Sequence, residues 1–329
     1  MSKSKKNKFS TKNPKPILEP KGFPFIYYSG NWEGRWVYHP KIIEKAGKFY
    51  MFYSGKSGLN FLGNVKINMR QDIGLAISND LSRWERYKED PIFYPSSNKK
   101  DWDSGLVCHS YILKEAGKYY MFYDGSSIGN WKESIGIAKS NDLINWERID
   151  KNPVLESGSF WWDSIHVSRC CVIKKEDGNF YMLYAGNDGI CERIGAARSK
   201  DLINWDKFIR EPVIDLGPKG SWDDTYVSDP KILKVKNYYL MTYTGYQGDR
   251  GCTGLAYSKD LINWNRFPLN PILEAGPKGS WDQDESARAD FVTLNNEYYL
   301  FYTGKNGFFY SNGFAKLDIK KIMKIIEAI

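Results

Sequence analysis

The 329-residue sequence predicts an all-β fold, a five-bladed β-propeller with a short C-terminal helix. Three observations predict this fold class. A seven-residue phrase, S-x-D-L-x-x-W, recurs about every sixty residues. An aromatic strand ending in glycine occurs five times, and each unit holds about four short strands with no helical periodicity between them. A fixed repeat of this size with four strands per unit is typical of a propeller.

The repeated phrase reads SNDLSRW at 78–84, SNDLINW at 140–146, and SKDLINW at 199–205 and 258–264. Its Ser and Asp side chains are of the kind that cap a tight turn by accepting hydrogen bonds from backbone N–H groups. We expect its Leu to be buried beneath the turn and its Trp to start the outer strand and pack between blades. Because the phrase occupies equivalent places in four units, we interpret it as scaffold and not as an active site.

The other parts of each unit follow in a fixed order: a proline–aliphatic pair, a Trp followed by an acid, an apolar strand, the aromatic strand and a strand of the IGLA type. The Trp–acid steps recur in register, so their carboxylates are predicted to be mostly structural. They are Trp32-Glu33, Trp102-Asp103, Trp162-Asp163, Trp222-Asp223 and Trp281-Asp282. The final segment, KLDIKKIMKIIEAI, has the apolar spacing of a short amphipathic helix packed on the last blade.

Residues 1–15 contain six Lys and no acid, and we predict a basic, disordered tail followed by a single propeller catalytic domain over 16–329. Nucleic-acid binding is the alternative for the tail, but no nucleic-acid-binding motif follows it. No apolar stretch has the length of a membrane helix or the character of a signal peptide. Five Cys without metal-ligand spacing fit a reducing compartment. We therefore expect a cytoplasmic protein without nucleic-acid or membrane partners, cofactor or metal; its oligomeric state stays open.

Functional residues are expected where the units stop agreeing, because one active site does not need five equivalent copies. The starts of the first strands, which surround the central funnel of a propeller, read WVYHPKII, LVCHSYIL, HVSRCCVI, YVSDPKIL and SARADFVT. One column of this alignment holds His39, His109, Arg169, Asp229 and Ala289, with Arg288 beside the last and His166 three positions earlier in the third unit. All three His of the chain lie in these segments, which favours a functional ring over residues that merely line a wet channel.

Carboxylates outside the repeat suggest the chemistry. Glycoside cleavage uses two carboxyl groups, one protonated as the acid and one ionised as base or nucleophile. Our hypothesis pairs Asp229 with Glu285 from the neighbouring unit, with Arg169 and Arg288 keeping one carboxylate ionised while burial raises the pKa of the other. Asp224 also fails to recur in register and is predicted to contact substrate.

The loops that follow the aromatic strands vary as well, and they carry Trp131, Glu192 and Tyr246. We interpret them as ordinary surface loops; the alternative is that they cover the funnel mouth and shape specificity. Aromatic side chains of the funnel, such as Trp36, are expected to stack on sugar rings.

Cut into five units, residues 16–315 resemble the five-bladed propellers of the arabinanase, invertase and levansucrase superfamily, which includes glycoside hydrolase family 43. The resemblance rests on the Trp-Asp step and on G-x-[FY]-Y-[ML]-x-Y-x-G, IGLA and S-x-D-L-x-x-W. It implies a carbohydrate-active enzyme that cleaves a glycosidic bond of an oligosaccharide or glycoside in the funnel. Its families carry catalytic acids in two Asp-Pro steps and a Glu at the starts of inner strands. Asp229-Pro230 matches one such step, whereas His39-Pro40 stands where the first-blade Asp-Pro would be.

The site residues follow from the column and the resemblance together. We assign catalytic roles to Asp229, Glu285 and His39, and substrate binding to His109, His166, Arg169, Arg288, Asp224 and Trp36. His39 can replace a carboxylate as general acid or base, because its ordinary pKa suits neutral pH. Alternatively, the basic ring binds phosphate, as in related phosphorylases in which phosphate attacks in place of water, or serves a glycosyltransferase. The third hypothesis is a non-catalytic propeller that binds a glycan.

Overall fold

Five antiparallel units follow one another in the computed structural model, which describes residues 9–21, 32–56 and 70–329. Every unit begins with three strands in an up-and-down order. The first strands are β2 (Trp36–Lys45), β6 (Leu106–Glu115), β10 (His166–Lys174), β13 (Tyr226–Val235) and β17 (Glu285–Leu294). The second strands are β3 (Lys48–Lys56), β7 (Lys118–Ser126), β11 (Phe180–Asn187), β14 (Tyr238–Gln247) and β18 (Glu297–Asn306). The third strands are β4 (Gln71–Ser78), β8 (Ser134–Ser140), β12 (Glu192–Ser199), β15 (Arg250–Ser258) and β19 (Phe309–Leu317).

The fourth strands are very short. They are β5 (Glu85–Arg86), β9 (Glu147–Arg148) and β16 (Asn265–Arg266), and each begins directly after the Trp of the repeated phrase. In the third unit a single bridge between Arg198 and Asp206 takes this place. In the fifth unit the place is taken by β1 (Ser10–Lys12), which pairs with β19 from the opposite end of the chain.

The first strands form a closed ring, since each contacts the first strand of the next unit and β17 contacts β2. Short parallel bridges, Gly251 with Glu285 and Tyr310 with Trp36, also join a third strand to the next first strand. The radial arrangement of four-stranded units confirms the predicted all-β propeller.

The short C-terminal helix is confirmed as α1 (Ile319–Ile326). Asp318 caps its N-terminus by accepting a hydrogen bond from Lys321 N at 3.0 Å, as expected of an N-cap aspartate. The apolar stripe of α1 is buried in a core cluster that also contains Phe9. None of the described helices is long and apolar enough to cross a membrane.

The boundary of the predicted disordered tail needs correction. Residues 1–8 lie outside the described residues, but Ser10–Lys12 form β1 and the Phe9 side chain is 4% exposed. Lys12 Nζ lies 2.6 Å from Asp282. The segment is ordered because it completes the last unit, which has no fourth strand of its own.

The Trp–acid steps build the interior of each unit. Each Trp packs against the Tyr of the second strand, as Trp162 does on Tyr184 at 5.5 Å between ring centroids. The Tyr hydroxyl donates to the acid, and a cation from the fourth strand completes the set, as Arg148 does 2.6 Å from Asp103. A glycine makes room for the ring: a Cβ at Gly195 would lie 1.9 Å from Trp162. The recurring carboxylates therefore have the structural role that the repeat predicts.

Candidate active site

A β-bulge interrupts every first strand near its beginning, and one residue of each bulge has a left-handed backbone with φ between 50 and 56°. These five residues are His39, His109, Arg169, Asp229 and Arg288. A bulge re-aims side chains, and non-glycine residues with positive φ cluster at functional sites. The alignment that placed Ala289 in the fifth position is therefore wrong by one residue, because the bulge lies between Ala287 and Asp290.

Side chains from the preceding unit hold four of these bulges in place. Each accepts a hydrogen bond from the backbone N–H of the bulge residue at 2.8–3.0 Å. The acceptors are Thr303 for His39, Ser54 for His109, Asp124 for Arg169 and Thr244 for Arg288. The residue at the equivalent place before Asp229 is Ala185, which has no hydrogen-bonding group. The strained backbone is thus fixed by contacts between units, and this keeps the five side chains together.

Asp229 is 2% exposed and stands among cations. Its Oδ1 lies 3.0 Å from His39 Nε2 and 3.8 Å from Arg169 Nε, and its Oδ2 accepts a hydrogen bond from Ser228 Oγ at 2.8 Å. Burial raises the pKa of Asp229, but His39, Arg169 and Arg288 lower it further, to well below its ordinary value. Burial also lowers the pKa of His39 to about 3. His39 is thus neutral at pH 7, and the two arginines supply the charge that keeps Asp229 ionised.

His109 packs beside His39, with 4.1 Å between the ring centroids. Its Nδ1 lies 2.6 Å from Asp124 Oδ2. Burial lowers the pKa of His109 and raises that of Asp124, which shifts both groups toward their uncharged forms. The first-strand alignment missed Asp124, which lies on the second strand. A departure from the repeat marks it, since the other units have Ser54, Ala185, Thr244 or Thr303 there.

Arg169 also binds Glu192, with 2.5 Å between Nη1 and Oε2, and His166 Nε2 lies 3.7 Å from the other oxygen of this carboxylate. Burial raises the pKa of Glu192, but Arg169 and His166 bring it down to about 2. The surface-loop interpretation is wrong for Glu192, which is the first residue of β12. Glu133 is a further missed carboxyl group; burial raises its pKa, and its Oε2 is buried without a partner among the described residues.

Glu285 and Arg288 form a second buried pair. Arg288 Nη1 contacts Glu285 Oε1, and Nη2 donates to the Tyr246 hydroxyl at 2.7 Å. That hydroxyl donates to Glu285 Oε2 at 3.0 Å. Tyr246 therefore also belongs to the cluster and not to a surface loop. In this arrangement both oxygens of Glu285 are used to position Arg288.

Trp36 lies beside this pair at the start of β2. Its ring contacts Tyr310 at 5.0 Å, and the guanidinium of Arg288 lies 5.4 Å from the same Tyr310 ring. Its Nε1 donates to the carbonyl oxygen of Phe308 at 3.2 Å.

Asp224, in contrast, is found in its own turn. It accepts hydrogen bonds from Gly220 N at 2.7 Å and from Thr225 Oγ1 at 3.1 Å. These bonds explain why an acid occurs there without reference to a substrate. The structure thus brings eight of the nine predicted site residues to the funnel end of the first strands and gives Asp224 a turn-capping place.

One group of side chains in the described ranges offers donors close enough for a metal ion. The donor atoms of Cys108, His109 and Glu133 lie within 4.8 Å of one another. His109 Nδ1 is already in hydrogen-bond contact with Asp124, and burial raises the pKa of the Cys108 thiol well above its ordinary value.

Comparison with known proteins agrees with this architecture. The model of the glycosyl hydrolases family 32 N-terminal domain matches residues 110–270. This match agrees with the resemblance of the repeat to the arabinanase, invertase and levansucrase superfamily. Among its relatives, the Mycobacterium tuberculosis protein MT1551 is 29% identical over 221 residues, which are 65% of this chain and 69% of the relative. A 1,2-beta-oligomannan phosphorylase of a Thermoanaerobacter species is 26% identical over 258 residues, 74% of this chain and 79% of the relative.

A solved structure shares the fold over almost the whole length. The beta-1,2-mannobiose phosphorylase of Listeria innocua superposes with a TM-score of 0.76 at 15% identity and covers 98% of this chain and 99% of its own. The catalytic and binding roles assigned to individual residues stay predictions.

Proposed function

We propose that this protein is an enzyme that cleaves a glycosidic bond of an oligosaccharide in the funnel of a five-bladed propeller, with Asp229 as the essential carboxylate. One observation carries the proposal. Asp229 provides the single carboxylate among the five bulge residues, and its contact with His39 together with the charges of Arg169 and Arg288 lowers its pKa well below the ordinary value. An ionised carboxylate in a shielded funnel serves as nucleophile or base, or stabilises the positive charge that develops on the sugar in the transition state.

The leaving sugar needs a proton, and the site contains carboxyl groups that can keep one. Burial raises the pKa values of Asp124 and Glu133, which is the direction that a general acid requires. Glu285, predicted as the acid, is held by Arg288 and Tyr246. Proton donation from Glu285 would therefore require that pair to open.

Phosphorolysis is a second candidate, in which inorganic phosphate attacks in place of water. Two half-buried arginines that act on Asp229, Arg169 and Arg288, suit a phosphate, because guanidinium groups bind its oxygens in pairs. Two phosphorylases of β-1,2-mannosides are among the similar proteins. The phosphate oxygen would bond to the anomeric carbon as the glycosidic C–O bond breaks, and the leaving oxygen would take a proton. The products are a sugar 1-phosphate and a shortened sugar.

Product analysis with and without inorganic phosphate tests both candidates. β-1,2-Mannobiose is the first substrate to try, followed by a panel of disaccharides and trisaccharides with other sugars and linkages. Cleavage without phosphate identifies a hydrolase, whereas formation of a sugar 1-phosphate only with phosphate identifies a phosphorylase. Binding of a glycan without cleavage of any panel member would contradict the proposed enzymatic activity and favour a glycan-binding propeller.

A cytoplasmic location is part of the proposal and is supported by five free cysteine thiols.

A further inference from the structure

The loop between β7 and β8 brings Trp131 to the funnel. Leu106 at the start of β6 pairs with Ser126 at the end of β7, so the loop over 127–133 lies at the end where the first strands begin. The carbonyl oxygen of Glu133 accepts a hydrogen bond from Val167 N at 3.2 Å. This bond ties the loop to β10 of the next unit, and Trp131 therefore stands beside the third unit's funnel residues.

The indole of Trp131 is 53% exposed. Its contact with His166 is edge-on, with 5.7 Å between ring centroids and an interplanar angle of 85°. His166 in turn contacts Glu192, and Glu192 binds Arg169. Arg169 lies 3.8 Å from Asp229. The exposed ring is thus connected to the proposed catalytic carboxylate through three side chains.

Trp161 provides a matched comparison, because its side chain is 51% exposed. The guanidinium of Arg193 lies 4.7 Å from its ring centroid, and its Nε1 donates to Glu211 at 3.3 Å. The position of Trp161 is explained by these contacts within the protein. For Trp131, within the ranges that the structure describes, the edge-on contact with His166 leaves the faces of the ring available.

An exposed indole face beside charged groups suits a sugar. One face of a sugar ring presents C–H groups that pack on an aromatic ring, while its hydroxyl groups need polar partners at the edge. His166 provides such a partner next to Trp131, and Glu192 lies 3.7 Å beyond it.

We propose that Trp131 is a platform for a sugar ring of the substrate, beyond the two rings joined by the cleaved bond. This inference rests on the proposed function. The platform is placed beyond the cleaved bond because His166, Glu192 and Arg169 lie between the indole and Asp229. The substrate class is accordingly an oligosaccharide of at least three units, and shorter substrates do not reach the platform.

The test compares W131A with W161A on a disaccharide and a trisaccharide of one series, starting with β-1,2-mannobiose and β-1,2-mannotriose. For W131A we expect kcat/KM on the trisaccharide to fall about tenfold, the loss expected for the apolar area of one stacked ring, and on the disaccharide to change less than about twofold. W131F should retain part of the effect, and W161A should match the wild type on both.

An unchanged W131A, or an equal loss on both substrates, would overturn the platform. Failure of the proposed function is distinguishable, because it appears as absence of turnover by the wild type on the whole panel. In that case calorimetric titration with the trisaccharide tests whether Trp131 binds a sugar ring. A weaker Kd for W131A than for W161A supports the platform, and equal values refute it.

Discussion

At the scale of single residues, the site is defined by side chains whose charge depends on burial. Asp229 stays ionised although it is buried, because Arg169 and Arg288 are close to it. His39 is in contact with the same carboxylate, yet burial keeps its imidazole neutral. This division of charge lets one carboxylate act as base or nucleophile while the neighbouring histidine serves as a hydrogen-bonding partner.

The neutral state of His39 predicts a pH dependence of stability. The pKa of His39 is about 3 in the folded protein, compared with an ordinary value of about 6.5 when unfolded. Below pH 6.5 the unfolded chain binds a proton that the folded protein does not, so stability is lost as the pH falls from 6.5 towards 3. Between pH 6.5 and 4.5 we expect the free energy of unfolding of the wild type to fall by about 2 kcal/mol more than that of H39N. Urea unfolding at both pH values measures this, and equal losses would show that His39 titrates normally when folded.

The residues of the site could be found from the sequence where equivalent strands of the units differ. His39, His109, Arg169 and Asp229 were grouped because they break a repeat. The fifth position was misplaced by one residue, although Arg288 precedes Tyr298 by the same spacing with which His39 precedes Phe49. Asp124 and Glu192 were missed because the comparison was confined to the first strands. Asp124 nevertheless stands at a position of the second strand where the other units have Ser, Thr or Ala.

At the scale of the element, the repeated phrase forms the turn between the third and fourth strands. In the third unit Ser199 Oγ accepts a hydrogen bond from Leu202 N, and Asp201 Oδ1 accepts from Ile203 N and Asn204 N. Trp205 then packs against Phe122 of the preceding unit. The turn, the buried Leu and the packing of Trp between units were readable from the sequence because they repeat. The short length of the fourth strands could not be predicted from the sequence, since two residues are too few to show a period.

Removing one of these turn caps should affect stability and leave catalysis intact. For D201A we expect a loss of about 1 kcal/mol in the free energy of unfolding, typical of a lost cap. Its kcat/KM should stay at the wild-type value, because the phrase is scaffold. D206A is the matched control: Asp206 pairs with Arg198 at the surface at 3.1 Å, and such pairs contribute little. A fall in kcat/KM for D201A with unchanged stability would contradict the scaffold interpretation.

At the scale of the whole molecule, the ring is closed by joining the two ends of the chain. β1 supplies the fourth strand of the last unit, and Lys12 occupies the place that Arg148 takes in the second unit, pairing with the acid of the Trp–acid step. The sequence could not reveal this closure, because the partner strand lies about three hundred residues away and a three-residue strand leaves no pattern. The repeat did predict the radial arrangement of the units.

Closure predicts that the N-terminal segment contributes to global stability. The Phe9 side chain is 4% exposed and packs edge-on against Phe267 with 5.3 Å between ring centroids. For F9A we expect a loss of about 3 kcal/mol in the free energy of unfolding, as for other large core truncations. F308A serves as control, since Phe308 is 74% exposed and surface changes usually stay within about 0.5 kcal/mol. Equal unfolding curves for F9A and F308A would refute closure through this segment.

The central claim is that Asp229 performs glycosidic bond cleavage in the funnel, and turnover by D229N tests it most directly. The substrate is the best one found in the panel, with phosphate present or absent as the wild type requires, and circular dichroism and calorimetric titration check folding and binding. We predict that kcat falls about a thousandfold, in the range typical for loss of an acid or base, while the variant remains folded and still binds the sugar. Turnover near the wild-type rate by a folded D229N would contradict the account.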